Sequence, residues 1–204
     1  MSADYVKLYE DATDMEIVRN IVDALRRGAV IIYPTDTVYA IGCDIMQVKA
    51  VRKVAELKHV KVEKSLFSII CSDMSMAGKF TRINNEVFKM MKRTLPGPFT
   101  YILPAAKELP STLDGIRKTI GIRIPNNRIV RAIVEELGNP LLTTSVKNVS
   151  GESEYTTDPE LIAEVYRDKV DFIIDGGYGN DMPSTVVDCS DGEPEVVRQG
   201  MGAF

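Results

Sequence analysis

Ala29-Val30-Ile31-Ile32-Tyr33 is an apolar, largely β-branched run that stops at Pro34, a residue with no amide hydrogen for a sheet ladder and a fixed φ. A buried strand therefore ends there. Immediately after it stand Thr35, Asp36, Thr37 and Tyr39, three hydroxyls and a carboxylate, in a stretch closed by Gly42. In open α/β sheets the ligand crevice lies outside the carboxyl ends of strands, and this is a suitable composition for one. Equally, the threonines and aspartate can cap a following helix or bond their own backbone. Leu141-Leu142-Thr143-Thr144-Ser145 repeats the design, running into Lys147, Asn148, Ser150 and Gly151.

Helical spacing alternates with these runs. Thr13 and Asp14 offer an N-cap to a helix carrying Ile17, Ile21, Val22 and Leu25, stopped by Gly28. A second helix is expected from about Gln47 to Lys58, with Val48, Val51, Val54, Ala55 and Leu57 inward and Lys49, Arg52 and Lys53 outward. A strand over Leu66 to Cys71 then completes a strand, loop, helix, strand crossover. Asn85 to Thr94 is read as a helix with Val87, Phe88 and Met91 inward, ended by Leu95-Pro96-Gly97-Pro98 before a strand at Phe99 to Leu103. Lys118 to Pro125 is an apolar strand, followed by a helix capped by Asn126 or Asn127 and closed by Gly138. A short helix from Asp158 to Tyr166 and strands at 170–174, 184–188 and 195–198 finish the chain, with Asp175 to Asn180 as a glycine-rich turn. The expected fold is α/β: one domain over residues 1–204, a twisted, mixed but largely parallel sheet flanked by helices.

Several chemistries are poorly supported. Three widely spaced cysteines, Cys43, Cys71 and Cys189, suggest neither a disulfide framework nor a zinc site, and one histidine, His59, is a weak basis for a triad or a metal cluster. No apolar run approaches the ~20 residues that span a bilayer, and the N-terminus lacks signal-peptide character, so a cytoplasmic protein with no membrane partner is expected. The net charge of −4 is unevenly spread. Residues 1–149 hold 22 Lys and Arg against 16 Asp and Glu, and residues 150–204 hold 3 against 13. The first part alone could meet a polyanion.

The cations sit where ligands would. Lys58-His59-Val60-Lys61-Val62-Glu63-Lys64-Ser65 is a lysine-rich loop, either solvated surface or a phosphate-binding loop. Arg123 shares one side of its strand with Thr119 and is costly to bury unless paired or aimed into a cleft. Strand-end hydroxyls and cations without a catalytic histidine suit an anionic small molecule with a phosphate tail, handled by positioning and charge neutralisation.

The run Tyr33 to Gly42 resembles the Pro-Thr-(Asp/Glu)-Thr-Val-Tyr-Gly-Leu-Gly signature of the YrdC-like threonylcarbamoyladenylate synthases. Leu95 to Thr100, Thr119 to Pro125, Ser184-Thr185 and Val197-Arg198 with Gly200 are similar to that family's further motifs, in order and over nearly the whole chain. The resemblance implies a concave, positively lined cavity and a reaction of threonine, bicarbonate and ATP, with Mg²⁺ accompanying ATP, that yields threonylcarbamoyl-adenylate and pyrophosphate for tRNA modification. Carried over by motif, Thr35, Arg123 and Ser184 would hold the threonine part. Lys58, Lys64, Thr119, Ser145 and Arg198 would hold the nucleotide, Lys58 and Arg123 acting as the catalytic pair.

Departures from the pattern accompany these matches. The family's Lys-x-Arg reads Lys58-His59-Val60 here, its following Asn reads Lys64, its Ser-x-Asn reads Ser145-Val146-Lys147, and Ala40 replaces a glycine. With Lys118 to Gly121 and Asp175 to Tyr178, these features resemble the YciO branch. They imply weakened or altered nucleotide chemistry. The alternative is an RNA-binding protein of the same fold, engaging tRNA or double-stranded RNA through Arg52, Lys58, Lys61 and Lys64. A further alternative acts on threonylcarbamoylated tRNA.

Overall fold

The computed structural model describes residues 2–62, 67–110, 113, 118–146 and 154–203. In chain order the elements are β1 (Asp4–Lys7), α1 (Met15–Arg26), β2 (Val30–Tyr33), β3 (Ala40–Asp44), α2 (Val48–Leu57), β4 (Ser68–Ile70), α3 (Met74–Phe80) and α4 (Asn85–Thr94). They continue with β5 (Phe99–Pro104), β6 (Thr119–Arg123), α5 (Arg128–Leu137), β7 (Leu141–Ser145), α6 (Glu154–Thr157), α7 (Pro159–Tyr166), β8 (Phe172–Asp175), β9 (Thr185–Asp188) and β10 (Glu195–Arg198).

Local chemistry sets the helix ends. Asp14 Oδ1 accepts the Glu16 amide at 2.8 Å to start α1, and Asn127 Oδ1 accepts the Val130 amide at 3.1 Å to start α5. Gly138 ends α5 at φ 77°, a left-handed conformation that a side chain would disfavour.

The ten strands of the described residues join one sheet in the order β1-β8-β2-β3-β7-β4-β6-β5-β9-β10. The sheet is mixed, as expected, but parallel pairing does not dominate. β1/β8, β2/β8, β4/β6 and β5/β9 are parallel, while β2/β3, β3/β7, β4/β7, β5/β6 and β9/β10 are antiparallel. The main cause is β3. Ala40 to Asp44, expected as the end of a polar loop, turns back beside β2 and makes β2, loop and β3 an antiparallel hairpin. The crossover through α2 therefore starts from β3, and β7 separates β3 from β4. Gly42 lies within this strand: a Cβ there would fall 2.3 Å from the Leu142 carbonyl oxygen and 2.8 Å from the Tyr33 hydroxyl.

One face of the sheet is sealed by α2, α3, α4 and α7, whose Val51, Val54, Ala77, Met91 and Ile162 pack with Ile32, Ile41, Ile69, Tyr101 and Ile122. Phe88, expected inward on α4, is 41% exposed, because Val87 and Met91 already fill that helix's buried stripe. The opposite face is covered by α1 and α5, through Val18, Ile21, Leu25, Val130, Ile133 and Val134, over Ile31, Tyr33, Ala40, Ile174 and the nearer residues of β7 and β4, Leu141 and Ile70. Beyond that cover, the same face carries Thr143, Ser145, Ser68, Thr119, Gly121, Arg123, Thr100 and Ser184, a hydroxyl-rich floor under a cavity. The cavity thus spreads across a sheet face; it was expected off the strand ends.

Candidate functional site

The floor follows from period-2 alternation in strands sealed on one side only. In β6, Ile120 and Ile122 enter the core while Thr119, Gly121 and Arg123 face the cavity; in β5, Tyr101 and Leu103 enter while Thr100 and Ile102 face out. Gly121 keeps the floor low, since a Cβ there would meet the Ser68 hydroxyl oxygen at 2.3 Å. The cavity encloses about 510 Å³, within the range of small-molecule sites.

Arg123 dominates one end. It is 7% exposed, and its Nη2 donates to Asp36 Oδ1 and to Thr37 Oγ1, each at 2.9 Å. The other carboxylate oxygen of Asp36 accepts the Asn126 amide at 2.9 Å, which fixes the acid behind the guanidinium. Burial lowers the Arg123 pKa below the ordinary arginine value and nearby Arg198 adds to this, while Asp36 and Tyr33 oppose it. Its Nε–H is buried without a hydrogen-bond partner among the described residues. A buried donor on a cation left unmatched is costly, and an anionic oxygen arriving from the cavity would satisfy it.

Arg198 lines the same cavity. Its Nε and Nη2 donate to the Ser184 carbonyl at 3.2 and 2.8 Å, and Nη2 reaches the Ser184 hydroxyl at 3.3 Å. That hydroxyl lies 2.8 Å from Thr100 Oγ1. Burial lowers the Arg198 pKa as well. Two guanidinium groups therefore face a cavity whose described lining holds one carboxylate, Asp188.

The expected residues fall into groups. Arg123, Ser184, Thr119, Ser145 and Arg198 line the cavity together. Thr35 stands behind it: its hydroxyl donates to the Val38 carbonyl at 2.8 Å, accepts the Thr37 amide at 3.0 Å and lies 3.1 Å from Thr37 Oγ1. Thr35 shapes the loop that presents Thr37. Lys58, the residue after α2, reaches the Ser145 carbonyl with Nζ at 2.7 Å, at the cavity's edge. Arg52 and Lys61 are exposed and outside the described lining, and Lys64 lies outside the described residues.

Thr37 stands among the strand-end hydroxyls the sequence points to, but its bond to Arg123, Asp36 as the Arg123 partner, and the Ser68 and Thr143 floor are visible only in the structure. The requirement that a buried arginine be paired pointed to a carboxylate, but nothing local said which one. The loop itself is held by Tyr39, whose hydroxyl donates to the Gly177 carbonyl at 2.7 Å and accepts the Gly176 amide at 3.1 Å. The Asn180 backbone amide donates a further hydrogen bond to the Thr37 carbonyl at 3.0 Å.

Among the described residues no three of His, Cys, Asp and Glu gather as a metal cage. No described helix is long and apolar enough to cross a membrane.

The Sua5/YciO/YrdC family model, described as telomere recombination, matches residues 23–200. The uncharacterized protein YciO of Escherichia coli is 38% identical over 197 residues, 96% of this chain and 94% of its own. A threonylcarbamoyl-AMP synthase of Coxiella burnetii is 32% identical over 178 residues, 86% of this chain and 94% of its own. The crystal structure of E. coli YciO superposes with a TM-score of 0.90 at 36% identity, covering 98% of this chain and 97% of that one. Pyrococcus abyssi Sua5 complexed with L-threonine superposes with a TM-score of 0.85 at 26% identity, covering 96% of this chain but 57% of that longer one. With a family model spanning most of its length and relatives of this likeness at full coverage, the chain belongs to the Sua5/YciO/YrdC family.

Proposed function

We propose that the cavity binds threonine as its N-carboxylate together with ATP and joins them. A carbamate oxygen attacks the α-phosphorus, the bond from that phosphorus to the bridging oxygen of the β-phosphate breaks, and pyrophosphate leaves with the electron pair. The product is threonylcarbamoyl-adenylate. The observation that carries this reading is the buried Nε–H of Arg123, unmatched among the described residues, on a guanidinium that lines the same cavity as Thr37, Ser184 and Arg198.

In this reading Arg123, Ser184 and Thr37 grip the threonine part, with Thr35 holding Thr37 in position. Lys58, Thr119, Ser145 and Arg198, with Lys64 beyond the described residues, face the nucleotide. Lys58 and Arg123 offset the charge that develops at phosphorus. Val60 supplies no charged donor where the family's motif carries arginine, which lowers turnover by roughly 10²-fold relative to a synthase that has it. The relatives named threonylcarbamoyl-AMP synthase, and the threonine complex of P. abyssi Sua5, support the substrate class.

The test is calorimetric titration with ATP and Mg²⁺, with and without threonine and bicarbonate, paired with a pyrophosphate assay. Pyrophosphate release that needs both threonine and bicarbonate is expected. Absence of ATP binding overturns the reading. Val60 leaves the triphosphate one charged donor short of the family's motif, which favours a second reading in which the same pocket engages a threonylcarbamoyl group already on tRNA. Binding of modified over unmodified tRNA, without ATP binding, would select it.

A further inference from the structure

Residues 79–118 hold eight Lys and Arg against three Asp and Glu, a balance of +5 inside a chain of net charge −4. Four of these cations come from three separate stretches, and backbone hydrogen bonds draw them together. Thr81 bridges Ala105, the Arg82 amide donates to the Pro104 carbonyl at 2.9 Å, and the Ala106 amide to the Phe80 carbonyl at 2.9 Å. The Ala105 amide donates to the Lys118 carbonyl at 2.9 Å. Lys79, Arg82, Lys107 and Lys118 are thereby set around the end of β5, all four exposed. Lys79, Arg82 and Lys107 line a groove of about 430 Å³.

None of the four forms an ion pair with a described carboxylate. Among the described residues, the acids that share their surroundings are Glu108, in the groove, and Asp191, which borders Arg82 from the β9–β10 turn. Uncompensated like charges held together by the backbone repel one another, and a bound polyanion relieves that repulsion. The patch also adjoins the cavity, since Lys118 precedes Thr119 and Thr119 pairs with Pro104 on the sheet.

We infer that this patch docks the ribose-phosphate backbone of an RNA whose other end reaches the cavity. It is distinct from Arg52, Lys58 and Lys61 near the end of α2. Four exposed cations, from the end of α3 and the residues after it, the turn after β5 and the residue before β6, suit a repeating phosphate, and continuity with the cavity rim favours a nucleic-acid backbone over an acidic protein.

The experiment is fluorescence anisotropy of the intact protein with a labelled tRNA transcript, without ATP or threonine, across a salt series. Lys79→Ala, Arg82→Ala, Lys107→Ala and Lys118→Ala are combined in one variant, with Lys107→Ala and Lys118→Ala also made singly and thermal melts confirming the fold. The combined variant is expected to bind tRNA at least about tenfold more weakly, with a salt slope flatter by about 3, from roughly 0.7–0.9 per lost phosphate contact. Small-molecule binding in the cavity should be unchanged. A wild-type protein that does not bind tRNA, a variant with unchanged affinity and slope, or displacement of tRNA by poly-glutamate at lower concentration than by unlabelled tRNA overturns the inference. Because no nucleotide is present, failure here is separate from failure of the synthase proposal.

Discussion

Arg123 and Asp36 stand at the point where folding and binding use the same atoms. Their side chains are 9% and 10% exposed, and they meet at 2.9 Å. Replacing Arg123 with Ala leaves a largely buried carboxylate with the Asn126 amide as its remaining described partner. We expect a loss of about 3–5 kcal/mol, read by urea denaturation, since breaking a buried pair strands a charge. Arg123→Lys keeps the charge but loses the planar fork that serves Asp36, Thr37 and a ligand together. It should recover much of the stability while threonine binding stays weakened by about tenfold or more. Wild-type threonine affinity in Arg123→Lys would show the arginine to be structural only.

Secondary elements meet closely at β3, the central strand of the β2-β3-β7 ladder. A Cβ on Gly42 would collide with the Leu142 carbonyl oxygen of β7 and the Tyr33 hydroxyl of β2, which itself donates to Thr143 at 2.7 Å. The first obstacle is backbone and cannot rotate away, so Gly42→Ala should cost about 1–3 kcal/mol or more in chemical denaturation. In Gly121→Ala the closest obstacle is the Ser68 hydroxyl, the end of a side chain that can turn. That variant should be less destabilised than Gly42→Ala and should bind its small-molecule ligand more weakly, because the added methyl stands on the cavity floor. Equal destabilisation of the two would contradict this view of the sheet.

At the scale of the whole molecule, the three thiols report how closed the fold is. Burial, with Asp188 adding to it, pushes the Cys189 thiol up to about 11, and burial raises Cys43 and Cys71 as well. At pH 8 the native protein should react slowly with a thiol reagent and the denatured protein quickly. An acid whose folded pKa is raised releases its proton first in the unfolded chain, so Cys189 makes stability fall as pH rises from about 9 to about 11. Cys189→Ser should flatten the pH dependence of the melting temperature across that window.

How much of this was readable in advance follows from which interactions are local. Helices announced themselves through spacing and caps: Asp14, Asn127 and Gly138 act through bonds or dihedrals a few residues away. The strands at Val30–Tyr33, Thr119–Arg123 and Leu141–Ser145 showed as apolar or alternating runs, and Arg123 declared its need for a partner because an apolar strand cannot hold a lone charge. Thr37, Arg123, Ser184 and Arg198 share one cavity because four stretches of chain far apart in sequence fold onto one sheet face. The sequence by itself determined most of the strands and helices, though not β1, β3, α3 or α6, and the residue types a site would need. Only the tertiary structure decided that β3 reverses the chain, that Asp36 is the arginine's partner, and that α1 and α5 leave half a sheet face open. Each of those depends on strand order, which is set by packing and hydrogen bonds between residues many tens of positions apart.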